Sequence, residues 1–87
     1  MALVLYSTEG CHLCENAWEL CQQASIADRV RIEDIAFDDK LVARYGVTIP
    51  VLSLQDPSGE VAAELGWPFD LTDLNSWLSL HGVNSNI

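Results

Sequence analysis

Residues 2–6, ALVLY, are apolar without a break, and Ser7-Thr8-Glu9-Gly10 bounds them before a helical pattern begins at Cys11. A short apolar run ended by turn residues predicts a strand over Ala2–Tyr6 that is covered on both faces, as in the middle of a sheet. Cys14, Trp18 and Cys21 then fall at i, i+4 and i+7, with Ala17 and Leu20 alongside. That stripe predicts a helix from Cys11 or His12 to about Ala24, closed by Ser25–Asp28. Val30–Ile35 alternates, with Val30, Ile32 and Asp34 on one side and Arg31, Glu33 and Ile35 on the other, a strand pattern. Strand, helix and strand at this spacing predict a right-handed βαβ unit with parallel strands.

The remaining elements follow from caps and breakers. Asp38–Tyr45 reads as a short helix capped by Asp38 or Asp39, with Leu41, Val42 and Tyr45 as its apolar face and Gly46 as its stop. Val47–Gln55 reads as a strand, Asp56-Pro57-Ser58-Gly59 as a turn, and Glu60–Leu65 as an antiparallel return strand. Gly66–Phe69 is a loop. Asp70 caps a last helix with Asp73 three residues on, close to a capping box; Leu71, Leu74, Trp77 and Leu78 are its buried face and Gly82 its stop. The expected order is β-α-β-α-β-β-α in a single α/β domain, residues 1–82, with 83–87 as a flexible tail. At 87 residues there is room for one core only, burying about 60–65% of the unfolded surface.

Thirteen acidic residues against four basic ones give a formal charge of −9, which excludes nucleic acid and anionic membranes as partners. MALVLY lacks a basic leader region, and no stretch approaches the ~20 apolar residues of a membrane span. The expectation is a soluble, cytoplasmic monomer. Three cysteines are an odd number and few for a disulfide scaffold, so they read as chemistry.

Cys11 and Cys14 are three apart where the first helix begins. Zinc takes two separated ligand pairs in most structural sites, and neither a second Cys-x-x-Cys nor an HxxxH is present, so no metal is expected. Thiol–disulfide exchange needs a thiolate, access to a partner disulfide, and a second thiol to resolve the intermediate. A sulfur at a helix N-terminus is stabilised as an anion by free N–H groups and the helix dipole. Cys11 is therefore the expected nucleophile, and Cys14, a turn deeper, the resolving thiol. Glu9 and Glu15 oppose ionisation, and no Lys or Arg occurs before Arg29. A carboxylate roughly 8 Å away at an effective dielectric of ~20 costs about 2 kcal/mol before screening. The dipole offers at most a similar amount, so Cys11 should be less acidified than a typical exchange cysteine, with an apparent pKa above about 5 by alkylation-rate profile. His12, if protonated, would favour the thiolate and tune the pair; otherwise it is an exposed helix-start residue. Cys21, two turns beyond Cys14, reads as a small core hydrophobe. Trp18 and Trp77 fit core stripes, whereas Trp67 is the candidate exposed contact. His81 suits a helix C-terminus.

Pro50 is the anomaly, because proline cannot donate to a ladder and yet TIPVLSL is otherwise strand-like. A cis Ile49-Pro50 bond would reconcile the two. Cys-x-x-Cys after a first strand, this element order, and Thr48-Ile49-Pro50 opening a third strand together resemble the thioredoxin superfamily over roughly residues 2–80. ARYGVTIPVLSL followed by GEVAAELG is similar to the corresponding part of thioredoxins, while the short front end looks like glutaredoxin. The resemblance implies a four-stranded mixed sheet flanked by helices and the same roles for Cys11 and Cys14. It also implies that an extended substrate pairs with the Ile49 backbone, in a groove rimmed by His12, Leu13, Thr48 and Trp67.

For glutathione as co-substrate, Ile49 matches a glutaredoxin contact by position, and Gly66 and Asp70 partly match its Gly-Gly…Asp loop. Trp67 and Pro68 interrupt that loop, and a chain at −9 repels an anionic tripeptide. Lys40 and Arg44 at i, i+4 could approach a carboxylate or form a solvated face. Leu13 stands where thioredoxins carry proline, and no Trp precedes Cys11. The expected activity is exchange with a protein or small disulfide and no resident cofactor. The alternative is a thioredoxin-fold adaptor that does not turn over and binds a basic partner through its acidic surface.

Overall fold

The computed structural model describes residues 2–83. Its elements are β1 (Ala2–Ser7), α1 (His12–Gln23), β2 (Val30–Asp34), α2 (Asp39–Tyr45), β3 (Val51–Gln55), β4 (Val61–Gly66) and α3 (Leu71–Leu80), the order the sequence predicts. They form one mixed sheet in the order β2-β1-β3-β4. β1 runs parallel to β2 and antiparallel to β3, and β3 and β4 form an antiparallel hairpin.

β1 has a strand on each side, so both its faces need apolar cover. Leu3 and Leu5 join Leu52, Leu54, the α1 residues Ala17 and Cys21, and the α3 residues Leu74, Trp77 and Leu78 in the larger core. Val4 and Tyr6 face the other way, onto Ile35, Tyr45 and Val51. Tyr6 and Tyr45 stack with ring centroids 4.4 Å apart. Tyr45 donates its hydroxyl hydrogen to Glu64, and burial followed by that bond holds its phenol above the ordinary range.

The helix ends are satisfied locally. The Asp38 carboxylate caps α2, accepting the Lys40 N–H at 2.9 Å. Asp70 and Asp73 form a reciprocal capping box at α3, with bonds of 2.8 and 3.2 Å. α1 closes with Ser25 N–H on Gln22 O (3.1 Å) and Ile26 N–H on Cys21 O (3.0 Å), which needs a left-handed residue at position 25. Ser25 has φ 63°, where a side chain is strained. Ser25→Gly should therefore raise stability by about 0.5–1 kcal/mol in urea titration, with an unchanged slope.

Several expectations are corrected. β2 stops at Asp34, and Ile35, expected opposite Val30, enters a single 3₁₀ turn (Ile35–Phe37) that turns it into the smaller core. Ile32, grouped with Val30 on one side of the strand, is 49% exposed where Val30 is buried, on an edge strand. Val42 is exposed, leaving Leu41 and Tyr45 to cover the sheet. β3 begins at Val51 rather than Val47, since the Thr48 and Ile49 N–H groups both turn back to Tyr45 O, at 2.9 and 3.0 Å. Gly46 stops α2 from an ordinary helical φ; a Cβ there would lie 2.5 Å from Val42 O. Val83, expected in the tail, packs on the core and donates its N–H to Leu78 O at 2.8 Å, with Gly82 in the left-handed region before it. The rest of the expected tail, 84–87, lies outside the described residues. Among the described residues no helix is long and apolar enough to cross a membrane.

Candidate functional site

The sheet register gathers the predicted site residues at one end. Tyr6, near the end of β1, pairs with Val51 at the start of β3, and Val51 pairs with Gly66 at the end of β4. The segment leading to Cys11, the Ile49-Pro50 turn and the Trp67 loop thus leave the same edge. The Ile49-Pro50 and Trp67-Pro68 peptide bonds are both cis. Trp67 donates its N–H to Pro50 O at 3.2 Å, which ties the two loops together.

Cys11 is the N-cap of α1, in extended backbone conformation, and its sulfur accepts the Cys14 N–H at 3.2 Å. One otherwise unpaired N–H of the first turn is therefore directed at the sulfur where negative charge would develop. The two residues are joined as a disulfide, with Cα atoms 5.2 Å apart. Cys11 is partly accessible and Cys14 is buried, the asymmetry that a nucleophile and a resolving thiol require.

His12 is fully in solvent, its Nδ1 3.4 Å from Glu15 Oε2, so its charge would be shared with that carboxylate. Leu13 is 47% exposed beside the pair, and Thr48 is exposed, its hydroxyl donating to Tyr45 O at 3.3 Å. Ile49 is half-buried against the smaller core. Because its N–H is already bonded to Tyr45 O, a strand docking here must displace that bond to use it. Trp67 is half-buried, edge-on to Phe69 at 5.2 Å. Asp70 is exposed and has one oxygen engaged in capping α3. Asp70→Ala should cost about 1 kcal/mol of stability while Asp70→Asn retains most of it. A loss of activity in Asp70→Asn with stability intact would give this residue a role in substrate contact as well.

Cys21 is fully buried in the larger core, and desolvation pushes its thiol up to about 11. Iodoacetamide should label Cys11 and then Cys14 in the reduced protein, but Cys21 only after denaturation; modification of Cys21 in the native state would contradict its burial. Among the described residues, no group of three or more His, Cys, Asp or Glu side chains is arranged to hold a metal.

On the β2 side of the pair lies a cavity of about 550 Å³ that includes both cysteines in its lining. Trp18 and Ile32 supply its apolar surface with the buried Leu5 behind them, and Glu9, Glu15 and Glu19 are among its other lining residues. The sequence reading placed Trp18 in the core and gave Leu5, Glu19 and Ile32 no part in a site. The pairing of Leu5 with Ile32 brings two of them together, and only the register reveals it. The visible signal was the like-charge pair Glu15 and Glu19 at i, i+4 on a helix without a cation.

Comparison with known proteins fits this arrangement. The family model of the glutaredoxin-like domain (DUF836) matches residues 2–79. The X-ray structure of the Northeast Structural Genomics target protein XcR50 from X. campestris is 42% identical, with TM-score 0.74, over 91% of this chain and 97% of that one. Its solution structure agrees, at 42% identity and TM-score 0.72, over 92% of this chain and 95% of that one. Thioredoxin 1 from Thermosipho africanus TCF52B shares the fold at 16% identity and TM-score 0.58, over 94% of this chain and 99% of that one. No curated protein gives a significant match. With a thioredoxin fold, a Cys-x-x-Cys disulfide at the start of its first helix, and a family model that spans nearly its whole length, the chain belongs to the glutaredoxin-like domain family.

Proposed function

We propose that the protein is a thiol–disulfide oxidoreductase in which Cys11 attacks and Cys14 resolves. The observation that carries this reading is the sulfur of Cys11 capping α1, accessible on one side and bonded to a buried Cys14 on the other. In the reduced form the Cys11 thiolate attacks one sulfur of a substrate disulfide. A Cys11–substrate disulfide forms, and the other half of the substrate leaves as a thiolate that takes up a proton. Cys14 then gives up its proton and attacks the Cys11 sulfur, so that the Cys11–Cys14 disulfide forms and the second thiol is released. Two electrons pass from the cysteine pair to the substrate, and an external dithiol or two monothiols restore the reduced state. The substrate is a protein or small disulfide, no resident cofactor takes part, and one chain suffices. A cytoplasmic setting, where thiol reductants are abundant, suits the reading.

Reduction of bis(2-hydroxyethyl) disulfide and of insulin, driven by dithiothreitol or by glutathione, tests it. A rate above that of the reductant alone supports exchange and identifies the donor. A rate equal to it supports the adaptor alternative, for which the surplus of acidic residues is the favouring observation.

A further inference from the structure

The redox pair has two flanks. One is the proline turn, where the Ile49 N–H is occupied by Tyr45 O. The other is the cavity between α1 and β2, whose lining includes both cysteines. We infer that this cavity is the substrate subsite, and that it selects disulfides carrying an alkylammonium or guanidinium group close to the sulfurs. The inference rests on the exchange reading above and names its substrate class.

The cavity's size and surface suit such a group. Its volume of about 550 Å³ accommodates an aliphatic arm on Ile32 and the partly exposed Trp18, with the buried Leu5 behind them. Ile32, half-exposed on an edge strand, and Trp18 are apolar surface that a passing substrate would cover. An indole face also attracts a cation. At the rim, Glu9 precedes the cysteine pair, while Glu15 and Glu19 project one turn apart from α1. Among the described residues lining the cavity there is no Lys, Arg or His. Arg31, next to Ile32 in β2, alternates to the opposite face and lies 3.8 Å from Glu33. An anionic disulfide reaching Cys11 from this side meets the carboxylates of Glu9 and Glu19 and that of Glu15, which also has the His12 ring 3.4 Å away. A cationic one meets complementary charge together with an apolar bed for its stem.

The test uses three small disulfides of similar length: cystamine (dication), bis(2-hydroxyethyl) disulfide (neutral) and 3,3′-dithiodipropionate (dianion). The readout is kcat/KM for each, divided by the rate constant of the same compound with free dithiothreitol so that leaving-thiol acidity cancels, at low and high salt. The neutral compound reports exchange itself; if it is not reduced, the oxidoreductase reading fails, whatever the charge preference. Given turnover of the neutral compound, cystamine should be preferred by about tenfold and the dianion disfavoured by a similar factor, both ratios shrinking as salt rises. Glu9→Gln/Glu15→Gln/Glu19→Gln should bring all three rates within about twofold. The ratio is the decisive quantity, because the same Cys11 attacks every compound and a change in its own reactivity cancels. The variant should fold, since it removes a like-charge pair from α1.

Two oxidised peptides, one with Lys and one with Glu beside the disulfide, distinguish the source of the cation. A preference confined to the peptides identifies a basic protein segment, and one confined to the small compounds identifies an aminothiol disulfide. Equal rates for cationic and anionic members in both series, or a preference that survives the triple variant, would overturn the inference.

Discussion

Cys11→Ser is expected to lower disulfide turnover to the uncatalysed background, a loss on the order of 10³-fold or more. A serine hydroxyl in place of the Cys11 sulfur could still accept the Cys14 N–H and cap α1, so the fold should persist while the nucleophile is gone. Cys14→Ser should behave differently. Attack by Cys11 remains, the mixed disulfide accumulates, and intact-mass measurement should find one substrate thiol added at Cys11. With a small substrate and excess glutathione, that variant should keep part of its rate, because glutathione can resolve the intermediate from solution. Equal loss in both variants with no trapped adduct would mean that the two sulfurs do not have these roles.

Leu52→Ala should have the largest effect on stability. Leu52 is fully buried at the centre of the sheet, with Leu5 beside it on β1 and Leu65 on β4. Truncating a leucine in such a setting costs about 2–5 kcal/mol, through lost transfer energy and the cavity left behind. A domain of this length has roughly 4–13 kcal/mol in total, so the variant should lose a large share of it and melt more than about 10 °C lower. Leu80→Ala is the matched control. Its side chain is 78% exposed at the end of α3, and its change should remain within about 0.5 kcal/mol. Similar losses in the two variants would contradict the division between core and surface.

The parts of the fold legible in the sequence were those fixed by local chemistry. A short unbroken apolar run ended by turn residues read as a central strand, and Asp70 with Asp73 could satisfy a helix start without help from elsewhere. Cys11 and Cys14 are three apart at a helix start, so local geometry alone brings them within bonding reach. What sequence spacing misplaced depended on distant partners. Ile35 looked like the polar side of a strand because alternation cannot anticipate a 3₁₀ turn that rotates it onto Tyr6 and Tyr45. Val47–Ile49 looked like strand because nothing local reveals that Tyr45 O will accept two backbone N–H groups. Ile32 looked equivalent to Val30 because β2 could not be recognised as an edge before the sheet order was known. The cavity was hidden for the same reason: Leu5 and Ile32 are far apart in sequence and meet only through the β1–β2 register.

The whole account depends on the cysteine pair being exchangeable, so its reduction potential is the most direct test. The reduced protein would be equilibrated in defined mixtures of reduced and oxidised dithiothreitol or glutathione, quenched by alkylation, and scored by mass for Cys11 and Cys14. An accessible, helix-capping sulfur predicts a midpoint between about −120 and −280 mV, the range of exchange proteins, with Cys21 unmodified throughout. A midpoint below about −300 mV, or a pair that fails to equilibrate with either buffer, would mark a structural crosslink and contradict the oxidoreductase account.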